Sequence, residues 1–361
     1  MTGPDADGET VLLAAEGHAG RITLNRPRAL NSLTHAMVRR IDAALDEWER
    51  DPAVRTVVLD GAGERGLCAG GDIRAIYEDA RARGGRSAAF WRDEYRLNAR
   101  IARFPKPYAA LMDGIVMGGG VGVSAHGSVR IVTERSRIAM PETGIGFVPD
   151  VGGTYLLARA PGELGTHLAL TGARMGAADA LLCGLADHFV PSPHLPDLLR
   201  DLAEVSAGEA VARYAGQPPP GGLEAAQEWI DRCYAAESVE EIVERLRADG
   251  SPGAKEAAGA LAAKSPTALK VTLAALRRAR RLDSLERVLE QEHRVSCACL
   301  AAPDLVEGIR AQVVDKDRSP RWRPASLAEV ADVDVERFFT SGGDDGLRFG
   351  GRGNDAAQEV A

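Results

Sequence analysis

Aromatic residues make up only 5% of the 361 residues, cysteine numbers five, and lysine plus arginine fall short of aspartate plus glutamate, for a net charge of −8. The cysteines (Cys68, Cys183, Cys233, Cys297 and Cys299) are odd in number and widely scattered, which excludes a disulfide scaffold. A chain this long buries roughly three quarters of its unfolded surface and needs no such staples. No basic residue precedes Arg21, while Asp5, Asp7 and Glu9 do, so the marks of a secretory, twin-arginine or mitochondrial leader are missing. These absences point to a reducing, cytoplasmic setting. The negative balance argues against a nucleic-acid partner. No clean membrane span exists either: the most apolar stretch, Tyr108 to Ala125, holds Asp113 and five glycines, so a membrane partner is not expected.

What is present describes a soluble globular protein, 45% hydrophobic and 27% charged. Val11–Leu13 and Arg21–Leu24 read as strands, and Met37, Ile41, Ala44, Leu45 and Trp48 recur at three- and four-residue steps, predicting an amphipathic helix over Thr34–Arg50. Val54–Leu59 reads as a buried strand, followed by helices at Asp72–Ala80 and Ser87–Phe104. Tyr108–Met112, Val129–Thr133 and Arg137–Met140 read as further extended segments, and this alternation predicts an α/β fold. Beyond Gly152 helices dominate, interrupted by the proline-rich linker Gln217–Gly222. Ser238 with Glu241 fits a capping box, and Ser265-Pro266 an N-cap followed by proline. We expect a core over residues 10–205, a helical C-terminal region over 206–340, and a glycine-rich, unstructured tail over 341–361.

Two glycine clusters follow buried strands and open helices: Cys68-Ala69-Gly70-Gly71-Asp72 and Met117-Gly118-Gly119-Gly120-Val121-Gly122. Such loops let a ligand approach the backbone, and the first N–H groups of a helix lack intrahelical acceptors. Two of them converging would stabilise a developing oxyanion; tight turns and close helix packing would demand the same glycines. Gly120, Gly122 and Ala125 match a dinucleotide fingerprint, but His126-Gly127 ends that helix too soon. Gly122 to His126 resembles a nucleophile elbow without its closing glycine, so Ser124 reads as a packing residue. Downstream, Met140 to Gly153 carries Glu142 and Asp150 on a loop framed by prolines. Paired carboxyls suit acid–base or nucleophilic work, although Asp150 is also placed to cap the helix after Gly152. His293, Cys297 and Cys299 share part of a helix face without a fourth ligand, so no metal is implied.

Cys68 to Asp72, Met117 to Gly122 and Pro141-Glu142 together resemble the crotonase (enoyl-CoA hydratase/isomerase) superfamily. Arg92-Asp93-Glu94-Tyr95, Met140 to Gly153 and the late run Asp315 to Trp322 are similar to its 3-hydroxyisobutyryl-CoA hydrolase branch. The resemblance implies a spiral of ββα units with a helical C-terminal region, and hydrolysis of a short branched 3-hydroxyacyl-CoA thioester in valine catabolism. It implies Gly71 and Gly119 as the backbone oxyanion hole, Glu142 and Asp150 as the catalytic acids, and Glu94 as a substrate-binding residue. Coenzyme A is then part of the substrate, no separate cofactor is needed, and a homo-oligomer is compatible with the family. Hydratases of the superfamily carry a second glutamate where this chain has Gly122, which disfavours hydration; the alternative is an enoyl-CoA or dienoyl-CoA isomerase or hydratase on the same scaffold, dienoyl-CoA isomerases also carrying an acid at the Asp150 position. Arg26 and Arg28 stand where they would meet CoA phosphates or simply face solvent. Trp322 is expected to pin the C-terminal segment to the core.

Overall fold

The structure is a computed structural model, and it describes residues 9–340 and 346–349. Among the described residues, eight strands form two sheets: β1 (Val11–Glu16), β2 (Ala19–Leu24), β3 (Thr56–Gly61), β4 (Tyr108–Met112), β5 (Ile115–Met117), β6 (Val129–Val132), β7 (Arg137–Ala139) and β8 (His188–Phe189). The large sheet runs β1-β2-β3-β4-β6-β8, antiparallel only between β1 and β2. The small sheet pairs β5 with β7, and single bridges Leu33↔Gly71, Cys68↔Val116 and Ile138↔Met175 extend the same layer.

Each turn of the chain therefore supplies a strand to the large sheet, an extended piece to the small layer, and then a helix. β2 leads through Leu33 to α1 (His35–Arg50), and β3 leads through Cys68–Gly71 to α2 (Ile73–Arg81) and α3 (Arg86–Ala102). β4 leads through β5 to α4 (Gly119–Ser124), and β6 leads through β7 toward α5 (Gly153–Leu157). This is the spiral of ββα units. It explains the apolar stretch from Tyr108: β4, β5 and α4 run through the centre of the molecule, with every residue of β4 and α4 buried.

The parallel strands are apolar on both faces because both are covered. Val57 and Leu59 point into the main core, whereas Val58, Ala109, Leu111 and Ile131 meet Leu198 and Leu202 of helix Leu195–Glu204 on the other side. Thr34 caps α1 by accepting from Met37 N–H, and the helix buries the face its periodicity predicted. The main hydrophobic cluster continues through helices Pro266–Ala279 and Leu285–Ala301, so the C-terminal helices pack directly on the spiral. Ser238 and Ser265 cap their helices as expected; at Ser238 only the serine half of the box, its acceptance from Glu241 N–H, is formed.

Most of the C-terminal tail lies outside the described residues, but residues 346–349 depart from the expectation of an unstructured end. Leu347 is buried, its N–H donates to His293 Nδ1 at 3.4 Å, and Phe349 N–H donates to Glu290 at 2.9 Å. Trp322 does anchor its segment: its indole N–H donates to Ala263 O, while Arg321 and Arg323 N–H donate to Glu307 and Asp304. Among the described residues, no helix is long and apolar enough to cross a membrane.

Candidate active site

The two glycine loops meet because the small layer brings them side by side. Gly70 adopts φ +107° and Gly118 φ +50°, conformations that favour glycine. Their neighbours' hydrogen bonds are spent on the scaffold: Leu33 N–H donates to Gly70 O, Asp72 N–H to Leu33 O, and Gly118 N–H to Ala139 O. Gly71 N–H and Gly119 N–H have no acceptor among the described residues. A methyl group on Gly119 would sit 3.3 Å from the Gly71 nitrogen and 2.6 Å from Glu94 Oε1, and one on Gly70 would sit 3.6 Å from the Gly119 nitrogen. Both unspent amides thus border one small space.

That space is the floor of a cleft of about 340 Å³. Trp91 and Phe147, stacked with centroids 5.3 Å apart, form part of its apolar wall. Glu94, Glu142 and Asp150 all line it, yet are only 2%, 6% and 5% exposed. Glu142 opens a short 3-10 turn, Glu142–Ile145, just past β7, and its Oε1 would lie 2.9 Å from a Cβ on Gly118. Glu142 Oε2 and Glu94 Oε1 are buried without a hydrogen-bond partner. Buried oxygens left unpaired cost free energy, so a site that keeps two of them is shaped for something that donates to them.

Asp150 does not cap α5, the alternative that the sequence left open. Its carboxylate turns inward and accepts from the Tyr95 hydroxyl at 2.7 Å, while the Tyr95 oxygen lies 2.8 Å from Ser296 Oγ. The helix start is held instead by Glu292, which accepts from Gly152 N–H, Thr154 N–H and Thr154 Oγ. His126 Nε2 donates to Val151 O at 2.8 Å, and burial lowers its pKa to about 4, so it is neutral. Ser124 Oγ donates to Gly120 O, consistent with a packing role, and Arg26 pairs with Asp72. Gly120 packs against the Cys68 backbone, which explains that glycine without a nucleotide.

Burial pushes Glu142 well above the ordinary carboxyl range and the Asp150 charge adds to this, against the pull of its own main-chain N–H and of Lys264. Burial raises Asp150 to about 7 despite the Tyr95 hydrogen bond, and raises Glu94, with Asp150 adding to it. A carboxyl with a raised folded-state pKa holds its proton where the unfolded chain has lost it, so stability falls as pH rises between the two values. For Asp150 that window runs from 3.8 to about 7. We expect the Tm of Asp150→Asn minus that of the unsubstituted protein to grow by a few degrees from pH 4 to pH 7 and level off above, measured by thermal unfolding.

Several lining residues carry no local sequence signal. Lys264, Leu305, Ile309, Gln312 and Val313 close the cleft from the C-terminal helices, and Tyr95, Ser296 and Glu292 stand behind Asp150. Tyr95 falls in the run Arg92-Asp93-Glu94-Tyr95, but nothing in that run points to a hydroxyl turned on Asp150. Burial lowers the Lys264 pKa, and the Glu142 charge opposes that. The His293, Cys297 and Cys299 group gathers no metal-binding set among the described residues, with Cys297 Sγ 3.9 Å from His293 Nδ1.

Residues 19–339 match the family model described as enoyl-CoA hydratase/isomerase. The chain is 46% identical over 345 residues to the mitochondrial 3-hydroxyisobutyryl-CoA hydrolase of Danio rerio, covering 92% of this chain and 90% of that protein. Two solved structures resemble it throughout. A carnitinyl-CoA dehydratase from Mycobacterium thermoresistibile has a TM-score of 0.92 and 55% identity, covering 95% of this chain and all of that one. An enoyl-CoA hydratase from Rhodobacter sphaeroides 2.4.1 has a TM-score of 0.89 and 47% identity, covering 94% of this chain and all of that one. The mitochondrial designation of the hydrolases, of Homo sapiens as of Danio rerio, overturns the cytoplasmic setting expected from the sequence. The five free cysteines fit a reducing compartment, but they do not say which one. By the extent of these matches, the chain belongs to the enoyl-CoA hydratase/isomerase family.

Proposed function

We propose that the protein hydrolyses 3-hydroxyisobutyryl-CoA to 3-hydroxyisobutyrate and free CoA, the thioester cleavage of valine catabolism. The observation that carries the reading is the convergence of two unspent amides, Gly71 N–H and Gly119 N–H, with the buried, unpaired carboxyl of Glu142 beside them. The thioester oxygen takes both N–H groups, whose fixed dipoles favour the tetrahedral oxyanion over the ground-state carbonyl. Glu142 either attacks the acyl carbon, giving a mixed anhydride that water cleaves, or deprotonates the attacking water. Hydroxylamine separates the two routes, because it captures an anhydride and leaves a general base unmodified.

Asp150 gives its proton to the departing CoA sulfur and takes one back from water. Glu142 and Asp150 repel as paired charges, so the active enzyme holds one proton between them. Glu94, with its unpaired Oε1 beside Gly119, accepts the substrate hydroxyl.

A second reading, hydration or isomerisation of an enoyl-CoA, draws on the names of the two solved relatives. Against hydration stands Gly122. A Cβ there would lie 2.6 Å from Val151 Cβ and 3.0 Å from Asn98 Nδ2, so the second acid of hydratases is absent and its place is filled. The test is a panel of 3-hydroxyisobutyryl-CoA and 2-enoyl-CoA substrates, followed by free thiol and by conjugated absorbance. Thiol release from the hydroxyacyl thioester is expected to exceed any change in the enoyl substrates by at least about 10²-fold, the scale of a general-base contribution. Loss of conjugation without thiol release would overturn hydrolysis.

A further inference from the structure

The arrangement behind Asp150 is more elaborate than its burial requires. Asp150 sits on a loop whose next two residues, Val151 and Gly152, both have positive φ, 53° and 79°. Glu292 holds Gly152 and Thr154, His126 holds Val151, and Asp150 O accepts from Gly153 N–H at 2.6 Å. The backbone at Asp150 is thereby fixed from several sides. Those contacts leave the rotation of its carboxyl undetermined. Beside the main-chain N–H of Asp150 itself, what holds the carboxyl is the Tyr95 hydroxyl, fully buried on α3 one residue beyond Glu94.

A phenol has one hydrogen. When Asp150 is ionised, Tyr95 spends it on Asp150 Oδ2, so toward Ser296 the Tyr95 oxygen accepts and the serine hydroxyl donates. The order Ser296 Oγ–H to Tyr95 Oη–H to Asp150 Oδ2 is thus set by valence. Ser296 lies one helical turn beyond Glu292 on helix Leu285–Ala301, so a single C-terminal helix grips both the Asp150 loop and the residue that orients its carboxyl.

We propose that Tyr95, backed by Ser296, is a positioning residue that presents Asp150 to the departing thiol and sets the pH at which the Glu142–Asp150 pair gives up its shared proton. Engaging Oδ2 leaves Oδ1 for the cleft, and a donor on the ionised form makes that ionisation easier. The other titratable groups near Asp150 are Glu94 on α3, Glu142, and Glu292 and Cys299 on helix Leu285–Ala301. The Asp150 charge raises all three carboxyls, whereas its own ionisation is resisted by burial, which the Tyr95 hydroxyl and the Asp150 main-chain N–H oppose. The inference rests on Asp150 acting in hydrolysis.

The experiment compares Tyr95→Phe, Ser296→Ala and Asp150→Asn, scored by CoA thiol release across pH with KM determined separately. Tyr95→Phe is expected to lower kcat by about 10- to 100-fold, to leave KM within about twofold, and to move the alkaline limb up by about one pH unit. Ser296→Ala should shift the same limb in the same direction by less, and it answers the question alone if Tyr95→Phe fails to fold. The limb that moves must be the one that Asp150→Asn abolishes. An unchanged limb in either folded hydroxyl variant, even with a lowered Tm, would overturn the proposal and leave Tyr95 a packing residue. If Asp150→Asn is inactive while Tyr95→Phe behaves like the unsubstituted enzyme, only this inference falls; if Asp150→Asn turns over normally, it falls with the role of Asp150.

Discussion

Replacing Glu142 with glutamine lowers kcat for CoA release by about 10²–10⁴ while leaving the dissociation constant of the thioester within a few-fold. The size follows from what the substitution removes. Glutamine matches the carboxyl in volume, so the 3-10 turn and the Gly118 contact survive, and Phe147 N–H still donates to Glu142 O. What is lost is the group that, on the proposed mechanism, attacks the acyl carbon or accepts the water proton, and for which no neighbour substitutes. Asp150 is tied to Tyr95, and Glu94 lies on the Gly119 side. Rapid-quench turnover with separate equilibrium binding checks this, and near-normal thiol release by Glu142→Gln would remove Glu142 from the chemistry of the thioester.

Gly119→Ala keeps its main-chain N–H but blocks access to it, and is expected to cost about 10²–10³ in kcat, the scale of losing one oxyanion donor. Its added methyl would lie 2.6 Å from Glu94 Oε1 and 3.3 Å from the Gly71 nitrogen, inside the space proposed for the thioester oxygen. Even a shift of the Glu94 side chain that relieved the first contact would leave the second, which is with backbone. The diagnostic pattern is a fall in kcat with full retention of the fold, read by circular dichroism and Tm beside steady-state kinetics. Gly119 does not have positive φ, so strain at that residue would not account for the loss.

Much of the site lies within short reaches of chain, which is why it can be read from sequence. The two glycine loops, Glu142 and Asp150 each sit at a junction between elements whose periodicity is plain: the buried strands β3 and β4, and helix α1 with its Thr34 cap. Local chemistry fixes such features, since turn residues, caps and apolar spacing act over a few residues. The extended pieces of the small layer are much harder to read. Cys68 pairs with Val116 through a single bridge, too short to leave an alternating pattern, yet that bridge sets the two glycine loops side by side.

The orientation of Asp150 marks the limit. From sequence it could equally have capped a helix, and nothing near it in the chain says otherwise. Its partner Tyr95 is 55 residues away, and Ser296 lies 201 residues beyond Tyr95. Glu292, which took over the cap, is 140 residues from Gly152. The amino-acid order alone determined the α/β alternation, the glycine turns and the placing of Glu142 and Asp150 on one loop. Only the folded chain decided which amides go without acceptors, which carboxyl oxygens are sealed from water and which way Asp150 faces, because desolvation and distant hydrogen bonds exist only once packing has brought the C-terminal helices onto the spiral.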